Sequence, residues 1–337
     1  MKYDKKILLI GTGGTIASKE TKSGLVPALT ADEILEYVPE VKEYAFIDTV
    51  QVCNIDSTDT TPKEWMLIAK AIQDNYEDYD GFVVCHGTDT LAYTAAALSY
   101  MIRHSRKPIV VTGAQKPINA PETDARRNMR DSIAFAADDD SHRVTIVFDG
   151  KVIAGTRAKK ERSKSFDAFS SINFPNLAIV QDGKIHRYIR DFDPEKPTKF
   201  SDYMSDKVFI LKMTPGFSSD NLSYLFDKYE CIIVESFGVG GIPNYLMQEF
   251  KKQAESHDTL VIVATQVVQE GSDMGIYQVG LDAKSNMDLL ETYDMTLESA
   301  YAKACWIMGL KETEGLSKAE LKEKFYKPIG YDITYFE

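Results

Sequence analysis

The sequence has few cysteines, fewer basic than acidic residues, and no apolar run long enough to cross a membrane. Four cysteines occur in 337 residues, with neither a CxxC pair nor a Cys/His cluster of zinc-ligand spacing. Lysine and arginine number 39 against 51 acidic residues, a formal net charge of −12. That charge argues against a protein that binds nucleic acid or anionic membranes through a basic surface. The first apolar stretch, at residues 7–10, is too short for a signal-peptide core, so we expect a cytoplasmic protein with free thiols.

The length and the hydropathy pattern predict two domains of the α/β class. At about 150 residues per domain, the chain accommodates two. Short, continuous apolar runs, from residues 6–10 to residues 259–265, alternate with helical patterns. Such runs are typical of strands that are buried on both faces of a parallel sheet. We therefore expect two domains with mostly parallel sheets, a larger N-terminal one and a smaller, flavodoxin-like C-terminal one.

Helix signals lie between the apolar runs. Thr30 and Glu33 form a capping box, and Pro62 marks the first turn of a helix that continues to about Tyr76. Further helices are predicted over about 90–103, 124–137, 244–256, 297–309 and 317–325.

The alternation of strands and helices stops between residues 151 and 206. A hairpin is predicted near 149–156, followed by irregular chain and a polar stretch that contains two prolines. We place an N-terminal α/β domain with the candidate catalytic residues at 1–190, a linker at 191–206, and a C-terminal α/β domain at 207–337.

The first predicted strand leads into the turn GTGGTI at residues 11–16. Ligands of open α/β sheets bind at the carboxyl ends of the strands, where glycines let the backbone approach closely. The spacing is not GxGxxG and a polar loop follows, which disfavours a dinucleotide site. A tight turn would explain the glycines but not Thr12 and Thr15, and a threonine hydroxyl beside a base can act as a nucleophile.

Two other polar turns follow predicted strands. HGTDT occupies 86–90, and Asp56-Ser57 follows a strand near 49–53. Each has a simpler interpretation, because hydroxyls and carboxylates there cap the next helix or form an ordinary turn. We expect His86 to be a structural hydrogen-bonding residue. The ends of parallel strands converge, which favours one shared crevice.

The pair Lys159-Lys160 has two interpretations. A run of charge usually lies on a solvated surface. A lysine buried beside a threonine and an aspartate could instead act as a base. Proximity to Thr88 and Asp89 distinguishes the two.

These motifs resemble those of the bacterial L-asparaginase family. GTGGTI, HGTDT and VVTGAQKP carry the resemblance, and DSTDTTPKEW, SFDAF and ESFGVGGIPN resemble the cytoplasmic type I branch. The resemblance extends from about residue 5 to 325. It implies two α/β domains, a homodimer or homotetramer, and hydrolysis of L-asparagine to L-aspartate and ammonia without metal or cofactor.

The resemblance also implies site residues. Thr15 matches the primary nucleophile, which would form an acyl-threonine ester with the substrate. The implied catalytic set is Thr15, Thr88, Asp89 and Lys160. The implied substrate-binding set is Gly14, Asp56, Ser57, Gly87, Thr88, Asp89 and Ala114.

One segment departs from the family pattern. The loop Ser18–Leu29 has the polar composition of a lid that closes over substrate. Many members have Gly-Tyr-x-Pro there, whereas this chain has Leu25 in place of the tyrosine. Tyr277 of a neighbouring subunit is a candidate replacement, and an ordinary packed tyrosine is the equally weighted alternative.

Three alternatives stay open. A glutaminase differs by one methylene in its substrate, which is worth only about 10- to 200-fold in discrimination. The archaeal amidotransferase protein that acts on glutamyl-tRNA shares the catalytic pattern but has an extra N-terminal domain, whereas this chain starts at its first strand. A non-enzymatic amino-acid sensor would not need two threonines and a lysine. Lys159 stands where some regulated relatives carry a threonine, so we expect a hyperbolic dependence of rate on asparagine.

Overall fold

The structure, a computed structural model, describes residues 5–21, 24–190, 196–276, 280–281, 287 and 289–334. The side chains of residues 20, 21 and 25 are outside this description. The chain divides into two compact units, Met1–Asp202 and Tyr203–Glu337.

The first unit is built on a large sheet covered by helices. Its helices are α1 (Ala31–Glu36), α2 (Pro62–Asp74), α3 (Leu91–Met101) and α4 (Ala125–Ala136). Its strands are β1 (Lys6–Gly13), β2 (Ser18–Thr21), β3 (Gly24–Pro27), β4 (Phe46–Ile55), β5 (Gly81–Cys85), β6 (Ile102–Arg103), β7 (Pro108–Thr112), β8 (Arg143–Phe148), β9 (Lys151–Ala154), β10 (Ala158–Lys160), β11 (Phe169–Ser171), β12 (Ala178–Gln181), β13 (Lys184–Arg187) and β14 (Lys199–Phe200).

The large sheet confirms the predicted mostly parallel α/β architecture. Its strand order is β13-β12-β9-β8-β7-β5-β1-β4. Strands β4, β1, β5, β7 and β8 are parallel to one another, whereas β9, β12 and β13 extend the sheet antiparallel. The parallel part places the carboxyl ends of β1, β4, β5 and β7 along one edge.

The predicted hairpin near 149–156 is confirmed, but the irregular chain expected after it is wrong in part. Strands β8 and β9 pair through a turn at Asp149 and Gly150, both of which have positive φ. Beyond them, β10 pairs with β11, and β12 with β13. These strands are only three or four residues long and mix polar with apolar residues. A continuous apolar run therefore does not reveal them.

The helix signals at Thr30 and Pro62 are confirmed. The Thr30 hydroxyl accepts from Glu33 N, and Glu33 returns a bond to Thr30 N, as a capping box requires. Helix α2 begins at Pro62 and has its own box, formed by Thr61 and Glu64. Buried apolar residues of α2 recur at helical spacing and pack the helix on the sheet: Trp65, Ile68, Ala69 and Ile72.

The second unit has a smaller sheet. Its strands are β15 (Val208–Lys212), β16 (Cys231–Ser236), β17 (Leu260–Thr265) and β18 (Leu289–Glu291), and its described helices are α5 (Leu222–Lys228), α6 (Asn244–Ser256), α7 (Leu297–Glu314) and α8 (Lys318–Tyr326). The strands are parallel and lie in chain order, whereas a flavodoxin-like sheet places its second strand at the edge. No helix of the described residues is both long and apolar enough to cross a membrane.

The four cysteines are free thiols, as predicted. Cys85, Cys231 and Cys305 are buried and Cys53 is half-buried. Burial raises the pKa of Cys85 and of Cys305 to about 12. Across the described residues, no group of three or more His, Cys, Asp or Glu side chains is arranged to hold a metal ion.

Candidate active site

Three turns after parallel strands come into direct contact at the edge of the large sheet. The turns follow β1, β4 and β5, and glycines make their close approach sterically feasible. A Cβ on Gly14 would lie 2.3 Å from Gly87 Cα, and a Cβ on Gly87 would lie 2.6 Å from Ser57 Cβ and Oγ. Gly14 also has φ +76°, a conformation that favours glycine. The glycines at these positions therefore serve backbone contact between turns that are distant in sequence.

Hydrogen bonds join the turn at Asp56-Ser57 to the turn after β5. Asp89 N donates to Ser57 Oγ at 3.3 Å, and Thr90 Oγ1 donates to Ser57 O at 2.8 Å. Thr90 precedes α3 but makes no side-chain capping bond, so its hydroxyl connects turns instead of capping the helix. Asp56 is exposed and accepts from Thr58 N at 2.9 Å, which caps the short 3-10 helix Ser57–Asp59.

Lys160 lies beside the turn after β5. Its Nζ donates to Thr88 Oγ1 at 2.7 Å and to Asp89 Oδ1 at 2.7 Å. The Lys160 side chain is 17% exposed, whereas the Asp89 side chain is 58% exposed. Residues 159 and 160 are neighbours in β10, so their side chains point to opposite faces. The geometry thus separates Lys160 from the solvated-surface interpretation of the lysine pair.

The two threonines of GTGGTI are in different environments. Thr12 is buried, and its Oγ1 donates to Cys85 O at 2.8 Å, which ties β1 to β5. Thr15 begins the 3-10 helix Thr15–Ala17 and is half-buried. None of the residues that the structure describes hydrogen-bonds the Thr15 hydroxyl. Of the two, Thr15 therefore has the hydroxyl that is available to a ligand.

Gln115 contacts the site, and the sequence interpretation missed it. Ala114, the residue singled out in GAQ, is fully buried, whereas the Gln115 side chain reaches Thr88. Thr88 Oγ1 donates to Gln115 Oε1 at 3.2 Å. Gln115 Nε2 donates to Arg162 O and to Ser165 O, each at 3.1 Å. The amide thus links the Thr88 hydroxyl to the chain that follows Lys160.

Asp124 holds the turn that carries Gln115. Its carboxylate accepts from Gln115 N at 2.9 Å and from Lys116 N at 3.1 Å. Burial raises the pKa of Asp124, and these hydrogen bonds to the charged form oppose the rise. Asn128, one turn further along α4, donates from Nδ2 to Gly113 O at 2.9 Å. The start of α4 therefore positions the end of β7.

The segment predicted to be a lid forms a hairpin in its described part. Strands β2 and β3 are antiparallel, with Ser18 opposite Pro27. The hairpin returns to its base through Ala28 N and Leu29 N, which both donate to Ala17 O. The Leu25 side chain and the whole of Tyr277 lie outside the described residues, so both remain at the level of the sequence prediction.

Replacing Gly87 by alanine is expected to lower the free energy of unfolding by about 1–3 kcal/mol, because the added Cβ overpacks against Ser57. Urea denaturation of the full chain measures the change. Shortening the facing residue tests the cause, since Ser57→Gly removes the atoms that the new Cβ would meet. The loss in the double variant should be smaller than the sum of the two single losses. Additive losses would show that the contact does not limit this position.

The fold and the site define a two-domain α/β protein whose site lies where three strand ends meet. Residues 6–191 match the family described as "Asparaginase, N-terminal". Residues 207–325 match the family described as "Glutaminase/Asparaginase C-terminal domain". The chain belongs to the asparaginase family.

Among curated relatives, an L-asparaginase of Thermococcus kodakarensis is 37% identical over 334 residues, covering 98% of this chain and 99% of the relative. A protein of the glutamyl-tRNA(Gln) amidotransferase of Pyrococcus abyssi is 34% identical over 319 residues, covering 90% of this chain and 72% of that protein. The family pattern is thus shared by proteins of two different names.

Solved structures agree with this placement. The thermostable L-asparaginase from Thermococcus kodakarensis superposes with a TM-score of 0.91 at 34% identity, over 98% of this chain and all of that one. L-asparaginase I from Vibrio cholerae has a TM-score of 0.85 at 31% identity, over 98% and 99% of the two chains. A probable cytoplasmic L-asparaginase from Campylobacter jejuni has a TM-score of 0.84 at 26% identity, over 96% and 100%.

Proposed function

We propose that this protein hydrolyses L-asparagine to L-aspartate and ammonia, with Thr15 as the nucleophile. The observation that carries the proposal is the position of Lys160 Nζ, 2.7 Å from both Thr88 Oγ1 and Asp89 Oδ1. A lysine paired with a hydroxyl and a carboxylate supplies a group that can take up and return a proton. The L-asparaginases to which the chain is similar support asparagine as the substrate.

The reaction has two steps. Thr15 Oγ attacks the side-chain amide carbon, and backbone donors near Thr88 and Ala114 stabilise the negative oxygen that develops. A C–O bond forms, the C–N bond breaks, and the leaving nitrogen takes up the threonine proton to depart as ammonia. Water then attacks the acyl-threonine ester, a step in which Lys160 and Asp89 act through Thr88 on the proton or the water. The ester bond breaks, aspartate leaves, and Thr15 regains its proton.

Substrate binding uses the polar groups of the three turns. The exposed carboxylates of Asp56 and Asp89 suit the positively charged α-amine, and Ser57 adds a hydroxyl for the α-carboxylate. Gly14 and Gly87 lack side chains, which leaves room for substrate against the backbone. Fixing both ends of the amino acid would hold the amide in position for attack.

The assembly, the location and the subfamily are also proposals. We expect a homodimer or homotetramer in the cytoplasm, in the type I branch, as the similarity to the Vibrio and Campylobacter enzymes supports. The domain boundaries proposed above are supported by family matches that end at residue 191 and resume at 207. The contribution of Tyr277 to a neighbouring site stays a prediction, and unchanged activity of Tyr277→Phe would remove it.

Ammonia release from asparagine and from glutamine tests the proposed function directly. We expect the wild-type protein to release ammonia from asparagine, and Thr15→Ala to lower kcat by about 10³-fold or more, because the nucleophile is lost. Thr15→Ser keeps a hydroxyl and should retain more activity than Thr15→Ala. Unchanged turnover in Thr15→Ala would overturn the assignment of the nucleophile. The asparagine-to-glutamine ratio of kcat/KM decides between an asparaginase and a glutaminase.

A second candidate function is an amidase that works on aminoacyl-tRNA. The similarity to the Pyrococcus amidotransferase protein over 90% of the chain favours it, while the net charge of −12 argues against binding tRNA. Ammonia release that requires aminoacyl-tRNA would support this candidate over the asparaginase. Ammonia release from free asparagine alone would exclude such a requirement.

A further inference from the structure

A buried histidine lies directly under the turn that carries Thr88. His86 follows β5 and is 2% exposed. Its Nδ1 lies 2.8 Å from Gly87 O, and its Nε2 lies 3.0 Å from Thr94 Oγ1. Thr94 belongs to α3 and is fully buried, and its Oγ1 also lies 3.1 Å from Trp65 Nε1 of α2. The reaction proposed above uses none of these three side chains.

The chemistry of the three groups determines where the hydrogens lie. An indole N–H can only donate, so Trp65 donates to Thr94 Oγ1. The single hydrogen of the Thr94 hydroxyl is then directed to His86 Nε2, which must accept it. His86 Nδ1 therefore carries the ring hydrogen and donates to Gly87 O. Burial lowers the pKa of His86 to about 4, so the ring is neutral at pH 7.

This chain of hydrogen bonds fixes the orientation of one peptide unit. In a trans peptide the C=O and the following N–H point in opposite directions. With Gly87 O held by His86, the Thr88 N–H points away from the ring. Thr88 is 3% exposed, and no described residue accepts a hydrogen bond from its N–H. A buried donor without a partner is costly, and an oxygen atom of a ligand would satisfy it.

We propose that His86 is a positioning residue that orients the Gly87–Thr88 peptide, so that Thr88 N–H donates to the substrate oxygen on which negative charge develops. His86 itself does not touch the substrate. The inference rests on the proposed function, because it assigns the donor for the oxyanion of that reaction. Thr94 and Trp65 support it by holding the ring in one tautomer.

Kinetics of matched variants test this role. His86→Leu removes the donor to Gly87 O and should lower kcat for asparagine about 10²-fold, with KM changed by less than about threefold. His86→Asn places an amide N–H near the position of Nδ1 and should recover much of the loss. Trp65→Phe is the control, because it leaves the bonds of Thr94 to His86 and of His86 to Gly87 in place, and its kcat should stay within about threefold. Wild-type kcat in His86→Leu would overturn the proposal.

A spectroscopic measurement on the wild-type protein makes the test independent of whether the variants fold. In ¹⁵N-labelled protein, NMR reports which ring nitrogen of each of the five histidines carries hydrogen. The ring that stays neutral down to about pH 4 should be protonated at Nδ1. A neutral ring protonated at Nε2 would overturn the proposal. If wild type and Thr15→Ala release ammonia equally, the proposed function fails; if only Thr15→Ala is impaired and His86→Leu is normal, the role of His86 alone fails.

Discussion

Replacing Lys160 by methionine is expected to lower kcat for asparagine by about 10²–10⁴-fold, the usual contribution of a positioned acid–base group. Methionine preserves most of the length of the side chain but cannot bond Thr88 Oγ1 and Asp89 Oδ1, each 2.7 Å from Lys160 Nζ. Stability should change little, because Asp89 is 58% exposed and water can replace its partner. Steady-state ammonia release and urea denaturation measure the two effects.

The neighbouring lysine is the matched control for this prediction. Lys159→Met makes the same chemical change one residue earlier in β10, on the opposite face of the strand. Its kcat should stay within about threefold of the wild type. Equal losses in Lys159→Met and Lys160→Met would show that strand packing or net charge matters, and that the bonds of Lys160 to Thr88 and Asp89 do not.

Replacing Lys303 by methionine is expected to lower the free energy of unfolding by about 3–5 kcal/mol. Lys303 and Asp332 are fully buried, with Nζ and Oδ2 2.6 Å apart. Lys303 Nζ also donates to Lys327 O at 2.9 Å, so one ammonium connects α7 to the C-terminal segment. Burial lowers the pKa of Lys303 and Asp332 opposes this. Without the ammonium, the Asp332 carboxylate is left buried and uncompensated.

Urea denaturation of the full chain measures the loss, and two further variants show its origin. Lys70→Met removes an exposed ion pair with Asp74 and should cost at most about 1 kcal/mol. In Lys303→Met/Asp332→Asn the buried negative charge is gone, so the loss should be smaller than in Lys303→Met alone. A loss below about 1 kcal/mol in Lys303→Met would contradict the prediction.

Elements with a strong local signal were predictable. Strand β8 was expected over residues 143–148, which are its observed bounds, because a strand buried in a parallel sheet is a continuous apolar run. Helix α6 was expected over 244–256 and occupies those residues. Helix α7 was expected to end near 309 but continues to Glu314, where Gly315 adopts a left-handed conformation and ends it.

The site was predictable in its turns and not in its contacts. Glycine- and hydroxyl-rich turns after strands identify candidates such as Thr88 and Ser57, because strand ends converge in parallel sheets. Gln115 was missed, since a glutamine in a turn is ordinary until its side chain is seen beside Thr88. The short strands β10 and β11 were missed for a related reason. Their pairing depends on tertiary contacts, which override weak local propensity.

Sequence alone determined the class of this protein, since the period of its apolar residues and the glycines at its turns are local properties. The tertiary structure decided which groups meet. Lys160 and Thr88 are 72 residues apart in the chain, yet strand pairing brings them within hydrogen-bond distance. It also decided that the Thr12 hydroxyl serves the core while no described residue bonds that of Thr15. The physical reason is that hydrogen bonds act over about 3 Å, so they depend on strand register and turn packing, which no short stretch of sequence encodes.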